Sequence, residues 1–325
     1  MSANSITDDP HWPRASAWLE GAHADDVRGR LAILGAPLRL GSITPGRCDL
    51  APQAIRKALA RFSTYDIEND IELQQLAVSD AGDLDLSNAR PEEAFAPLAD
   101  AVRAALQTSN ALVLLGGDNS ISRPGCHGAS SSLAECGLLT LDAHLDLRDT
   151  NKGLSNGNPV RALLDDGLRG ANIIQIGIQS FSNSCHYANV ARDAGITIVT
   201  VDEVRARGLE RIVRESLEQL ALRAQNIYVD LDVDVLDRSF APATPGSRPG
   251  GLLPFELRRA AWLCGQHRKV RVMDLVEIDP TQDIADATVM TAAACLLSFA
   301  SGLLQRSEHN HSSESSKSSD TFSNI

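Results

Sequence analysis

The stretch LLTLDAHLDLRD, residues 138–149, passes from small and branched apolar residues directly into Asp142, His144 and Asp146. The three alternate with Ala143 and Leu145. If the apolar run continues as a strand, every second side chain points the same way, so two carboxylates and an imidazole converge on one spot. Carboxylates aimed into a small buried volume repel each other and are costly to desolvate unless a cation neutralises them. The pattern is that of a metal-ligand cluster. A solvated strand end can also carry alternating acids, and this stretch alone leaves that reading open.

Three further stretches carry candidate chemistry. In YVDLDVDVLD, Asp230, Asp232 and Asp234 again alternate with apolar residues and face one way from a strand. Burying them calls for a counter-charge from a metal or an arginine. An exposed edge strand with Leu231, Val233 and Val235 inward is the plainer alternative. In LLGGDNSISRPG, Gly116 and Gly117 let the backbone turn tightly before Asp118, Asn119 and Ser120. A phosphate cradle is the competing idea, a weak one because no Lys-Ser or Lys-Thr follows and the Walker spacing is absent, while Asn119 or Ser120 could simply cap a following helix. DLVEIDP places Glu277 at a strand end, where a carboxylate can pair with a cationic substrate group; alone, such a glutamate is more often solvated.

The elements that must position these residues read as an alternation. Strands are expected at LAILGAP from Leu31, LAVSDAG, ALVLLGGD from Ala111, GLLTLD, ANIIQIGI from Ala171, GITIVT from Gly195, NIYVDLDVD from Asn226 and KVRVMDLVEID from Lys269. Each is short and continuously apolar, as strands buried on both faces of a parallel sheet are. Helices are expected between most of them. APQAIRKALARF has Pro52 in its first turn and Ala54, Ile55, Ala58 and Leu59 on one face, and another helix runs from Pro91 to about Leu106. The implied fold is a single three-layer α/β/α domain, a doubly wound parallel sheet of about eight strands with helices on both faces. Ligands in such sheets bind at the carboxyl ends of the strands, where the acidic motifs fall.

Residues 1–28 read as an N-terminal arm with Trp12 and Trp18 as possible anchors, residues 29–305 as the catalytic domain, and residues 306–325 as a disordered Ser-rich tail whose two histidines are solvated. A formal charge of -12 disfavours nucleic acid and anionic membranes and suits a small-molecule substrate or a cation. Six cysteines without CxxC pairing read as reduced thiols in a cytoplasm. No apolar run approaches the roughly 20 residues that cross a bilayer, and MSANSITDDP lacks a signal-peptide core.

GGDNS, LDAHLD, VDLDVDVLDRSFAPATPGSRPGG and LVEIDP, in this order and with APQAIRKAL near the start, resemble the arginase, agmatinase and formimidoylglutamase superfamily of ureohydrolases from about Leu31 to Leu303. Within it, GGDNS, SNGNPVRALL and VDLDVDVLDR most resemble the formimidoylglutamase branch. The resemblance implies two Mn(II) ions per chain held by Asn119, Asp142, His144, Asp146, Asp232 and Asp234, and a homo-oligomer. It also implies hydrolysis of N-formimidoyl-L-glutamate to L-glutamate and formamide in histidine degradation.

Two positions depart from the usual pattern. Asn119 stands where histidine is usual; four aspartates still balance two divalent cations, and an amide oxygen makes the site harder, favouring Mn(II) over Zn(II). Asn156 stands where arginases and agmatinases carry a histidine, associated in arginases with proton shuttling, which argues against both activities. On this reading Glu277 holds the amidinium group, Asp146 takes the water's proton and passes it to the departing amine, and Asn156 and Arg161 bind the substrate, Arg161 through its glutamate carboxylate. A guanidino-compound hydrolase and a catalytically impaired binding protein are the alternatives.

Overall fold

In the computed structural model all eight expected apolar segments form strands of one sheet, and the described residues are 9, 11–21 and 23–306. The strands are β1 (Gly29–Ala36), β2 (Tyr65–Asp66), β3 (Ile71–Glu72), β4 (Leu76–Asp83), β5 (Ala111–Gly116), β6 (Cys136–Leu141), β7 (Ile173–Ile178), β8 (Thr197–Thr200), β9 (Asn226–Asp232) and β10 (Val270–Val276). The main sheet has the order β4-β1-β5-β10-β9-β6-β7-β8, with every pairing parallel. β2 and β3 form a separate antiparallel pair. β5, β6 and β7 are buried throughout, which explains their unbroken apolar sequence.

Two helical layers cover the sheet. On one face helices Ala51–Ala58, Leu209–Ala221, Pro254–Gln266 and Ala287–Leu304 pack around Ile33, Leu115, Leu139 and Leu231. On the other, helices Pro91–Thr108, Ser122–Ala129, Pro159–Asp165 and Cys185–Ala194 pack around Leu34, Leu114, Leu138 and Tyr228. The chain leaves β5, builds β6 to β8 at one edge, and returns to insert β9 and β10 between β5 and β6. The loops leaving β5, β10, β9 and β6 therefore stand side by side at one end of the sheet, and they carry the four motifs.

Helix Ala287–Leu304 qualifies the reading of the chain's apolar runs: it is long and apolar enough to cross a membrane, yet most of it is buried inside the fold. It meets helix Pro254–Gln266 at backbone contact, since a Cβ on Gly302 would lie 2.1 Å from the Trp262 carbonyl oxygen. Of the two candidate anchors, Trp18 is fully buried and donates from Nε1 to the Leu76 carbonyl at 2.8 Å, whereas Trp12 is exposed beside Arg14. Arg306, assigned to the tail, donates to the Gly265 and Val270 carbonyls and so belongs to the body. The remaining tail, with His309 and His311, lies outside the described residues. All six cysteines are unpaired, and only Cys185 is exposed.

Candidate metal centre

Asp142, His144 and Asp234 bring one ligand atom each to within 4.8 Å of one another. His144 Nδ1 lies 2.9 Å from Asp234 Oδ2 and 3.4 Å from Asp142 Oδ1. Strand alternation does not achieve this, contrary to the expectation from sequence. β6 ends at Leu141 and β9 at Asp232, so Asp142, His144, Asp146 and Asp234 all lie in the loops beyond. Side-chain to backbone hydrogen bonds shape those loops instead. Asp142 Oδ1 accepts the His144 N–H at 2.6 Å, Asp232 Oδ1 accepts the Asp234 N–H at 2.8 Å in a 3-10 turn, and Asp234 Oδ1 accepts the Ala143 N–H at 3.2 Å. From a third loop, Asn183 accepts the Leu145 N–H and donates to the Ala143 carbonyl, clamping the segment around His144.

Asn119 and Glu277 complete the floor. Asn119 Nδ2 donates to Asp146 Oδ2 at 2.8 Å, and the Asn119 backbone N–H donates to Glu277 Oε1 at 2.7 Å. Glu277 Oε1 also accepts from Asn156 Nδ2 at 3.0 Å. Asn156, expected to bind substrate, lines the cleft, and its Oδ1 accepts the Ile43 N–H at 3.0 Å. It ties Glu277 to the loop following β1. Asp118, rather than Asn119 or Ser120, caps the turn after β5 by accepting the Ser120 N–H, and it also accepts the Gly41 N–H at 2.9 Å. Gly117 serves close approach and has no positive φ: a Cβ there would lie 1.8 Å from the Leu38 carbonyl oxygen.

Asp146 (φ 52°) and Glu277 (φ 65°) are non-glycine residues in the left-handed region. Such conformations are strained and concentrate at functional sites. Both were nominated from sequence for catalysis, and no sequence pattern signals their backbone angles.

The acids crowd each other. Burial, followed by the field of Asp234, pushes Asp142 up to about 6 against the help of His144. Burial and Asp142 raise Asp146 well above the usual carboxylate range, and burial and Asp234 do the same for Asp232. Burial and Asp118 push Glu277 up to about 8. Burial would lower His144, but Asp234 and Asp142 outweigh it and hold its imidazolium up to about 12. Burial would also raise Asp234, but His144 and the Ala143 N–H bring it below the ordinary value. Among the described residues, His144 is the only basic side chain paired with these acids. One imidazolium against Asp142, Asp146, Asp232 and Asp234 is a deficit of positive charge that divalent cations would fill. The oxygen-rich donors suit a hard ion such as Mn(II). Gly246 leaves room beside them, since a Cβ there would sit 2.0 Å from Asp234 Oδ2.

The centre opens into a cleft of about 410 Å³. His144, Asp146, Asp232, Asp234 and Glu277 line its acidic part, and Arg148, Arg248, Asn156, Ser182, Asn183 and Tyr187 contribute to the wall. Arg161 is not brought there. It pairs with Asp165 at 3.2 Å on its own helix and does not line the cleft. Arg148 and Arg248 occupy the place proposed for it, and neither pairs with a carboxylate among the described residues; Arg248 Nη1 donates only to backbone carbonyls. Arg148 stands in the continuation of the metal motif and Arg248 in the PGSRPGG stretch, so both lay within motifs already marked in the sequence.

Residues 29–301 match the arginase family. The formimidoylglutamase of Halalkalibacterium halodurans is 38% identical over 279 residues, covering 83% of this chain and 86% of that one. The crystal structure of formimidoylglutamase from Bacillus subtilis resembles this fold with a TM-score of 0.84 at 32% identity, covering 94% of this chain and 96% of that one. A Trypanosoma cruzi formiminoglutamase with Mn2+ shares the fold, with a TM-score of 0.82 at 24% identity, covering 91% of this chain and 100% of that one.

Proposed function

The chain belongs to the arginase family, and on that premise we propose that it hydrolyses N-formimidoyl-L-glutamate to L-glutamate and formamide, a step of histidine degradation, with Mn(II) as cofactor. The observation that carries the choice of substrate is the polarity of the cleft, acidic at its floor and bearing Arg148 and Arg248 in its wall. That arrangement matches a molecule with a cationic amidinium and two carboxylates, one on the carbon that bears the amidine nitrogen and one at the far end. Agmatine has no carboxylate for the arginines to meet.

Asn119, Asp142, His144, Asp146, Asp232 and Asp234 would hold two Mn(II) ions, the four aspartates balancing their charge. Bound there, Mn(II) supplies Lewis acidity and lowers the cost of deprotonating water. Glu277, fixed by the Asn119 N–H and Asn156, accepts hydrogen bonds from the amidinium and holds its carbon toward the floor. Asp146 takes a proton from the attacking water as the new C–O bond forms. It returns that proton to the glutamate nitrogen as the C–N bond breaks, the hydroxyl proton of the intermediate follows to the same nitrogen, and formamide leaves beside the ammonium form of glutamate. Arg148 and Arg248 grip the carboxylates through charge-assisted hydrogen bonds. The catalytic unit, residues 29–305 with Arg306 added by its bonds to the body, acts in a cytoplasmic homo-oligomer, and light scattering tests the assembly.

Parallel assays of Mn(II)-loaded protein on formimidoylglutamate, arginine, agmatine and guanidinobutyrate test this reading. Glutamate release from the first alone is expected; urea from any of the others would overturn the assignment. Arg148→Ala and Arg248→Ala should each raise KM with kcat little changed, since they remove binding remote from the reacting carbon. One observation favours a second reading, a binding protein without turnover: the His144 imidazolium already bridges Asp142 and Asp234. Protein that carries no Mn(II) and shows no turnover would select it.

A further inference from the structure

Asn119 presents its amide the wrong way round for a cation. Nδ2 faces Asp146 Oδ2 at 2.8 Å, while Oδ1 lies 2.6 Å from the hydroxyl of Ser122. That hydroxyl has one proton and stands between two acceptors, Asn119 Oδ1 and, at 2.9 Å, Asp274 Oδ2. Asp274 is fixed from two other directions, since Oδ2 accepts the Tyr228 hydroxyl at 2.6 Å and Oδ1 accepts the Leu231 N–H at 3.1 Å. Asn119, Ser122, Asp274 and Tyr228 are all buried to within 1% exposure, so water cannot settle the conflict.

Turning the amide over about its last bond exchanges the two atoms. Oδ1 then faces Asp146, which is repulsive without a cation and favourable with one. Nδ2 then donates to Ser122 Oγ, the Ser122 proton goes to Asp274, and each donor has an acceptor. We infer that Ser122, anchored by Asp274, is a positioning residue for the metal centre: it accepts the Asn119 N–H and so stabilises the amide orientation that offers oxygen to a cation. The inference rests on the reading of Asn119 as a metal ligand. Outer-shell groups that orient a ligand typically change metal affinity about 10- to 100-fold when removed.

The test is a two-by-two set: the unsubstituted chain, Ser122→Ala, Asn119→Asp and the double variant, each titrated with Mn(II) by calorimetry and by the EPR signal of the free ion. Aspartate offers oxygen at both ends, so orientation ceases to matter once it stands at 119. Ser122→Ala should weaken Mn(II) about tenfold or more in the asparagine background and less than about threefold in the Asn119→Asp background. Equal weakening in both backgrounds would show a merely structural role and overturn the inference, as would no weakening in either. Absence of Mn(II) binding by the unsubstituted chain would overturn the metal reading itself, and the inference with it. A thermal melt of each metal-free variant identifies any that fail to fold, and Ser122→Thr, which keeps the hydroxyl, then replaces Ser122→Ala: retained affinity supports the inference, and a tenfold loss overturns it.

Discussion

Asp230 and Asp274 are register partners on β9 and β10, both buried, one step behind the metal cluster. Burial and Asp274 raise Asp230 well above the ordinary range; burial raises Asp274 to about 6 even though Tyr228, Ser122 and the Leu231 N–H favour its charge. Asp230 Oδ1 has no hydrogen-bond partner. Raised carboxyl groups contribute stability that is complete below the unfolded value near 4 and is lost as pH rises through the folded one. Asp230→Asn removes one acid from the pair and supplies an N–H for Asp274. It should therefore match the unsubstituted protein at pH 4 and exceed it by about 1 kcal/mol at pH 8 in urea denaturation of metal-free protein; a variant less stable at pH 8 would show that the two acids do not destabilise each other there. Glu277→Gln makes a second test at this scale. Its Oε1 can keep the bonds to Asn119 and Asn156, so fold and Mn(II) content should persist while kcat/KM falls about 100-fold through loss of the charge facing the amidinium. Unchanged turnover would remove Glu277 from the mechanism.

At the scale of elements, the loop after β1 is held against the loop after β5 with no space between them. Gly117→Ala would drive a methyl into the Leu38 carbonyl, and a Cβ on Gly41 would meet Ser120 Oγ and Asp118. Gly117→Ala should cost about 2–3 kcal/mol, read as a lowered Tm, and should weaken activity further because Asn119 and Glu277 depend on that turn; a Tm unchanged from the parent would mean the two loops can part freely. The six inner strands were legible because burial on both faces demands continuous apolar runs, which the sequence states directly; the edge strands β4 and β8, largely exposed, were legible from their place in the alternation. That Asp142, His144 and Asp234 gather in one place was legible for a related reason, since clustered acids have few structural uses in a buried place. The paths of the loops were not legible. They depend on Asn183 reaching back to Leu145, on Asp234 holding Ala143, and on positive φ at Asp146 and Glu277, none of which follows from periodicity. Arg161 was misplaced for the same reason: spacing along the chain does not tell which side of a short helix faces the cleft, and Arg148 and Arg248 enter from loops.

At the scale of the whole molecule, the site links stability, pH and metal. In metal-free protein Asp142, Asp146, Asp232, Glu277 and His144 all have raised values, so each contributes stability that fades as pH climbs, through about 6 for Asp142 and about 8 for Glu277. Asp234 runs the other way, since its lowered value contributes stability above its ordinary range that is lost in acid. The metal-free protein should therefore be most stable near pH 5 and weaken toward pH 8. Mn(II) requires the opposite protonation, with carboxylates ionised and His144 neutral, so binding must release protons and strengthen as pH rises. The rise in Tm on adding Mn(II) should accordingly be several degrees larger at pH 8 than at pH 6, and EDTA should destabilise the loaded protein most at the alkaline end. Calorimetry in two buffers of different ionisation enthalpy would count the protons. A Tm increment independent of pH, with no proton release, would mean that the cation is held outside the Asp142, His144 and Asp234 group, because those three cannot bind it without giving up the proton that His144 now places between them.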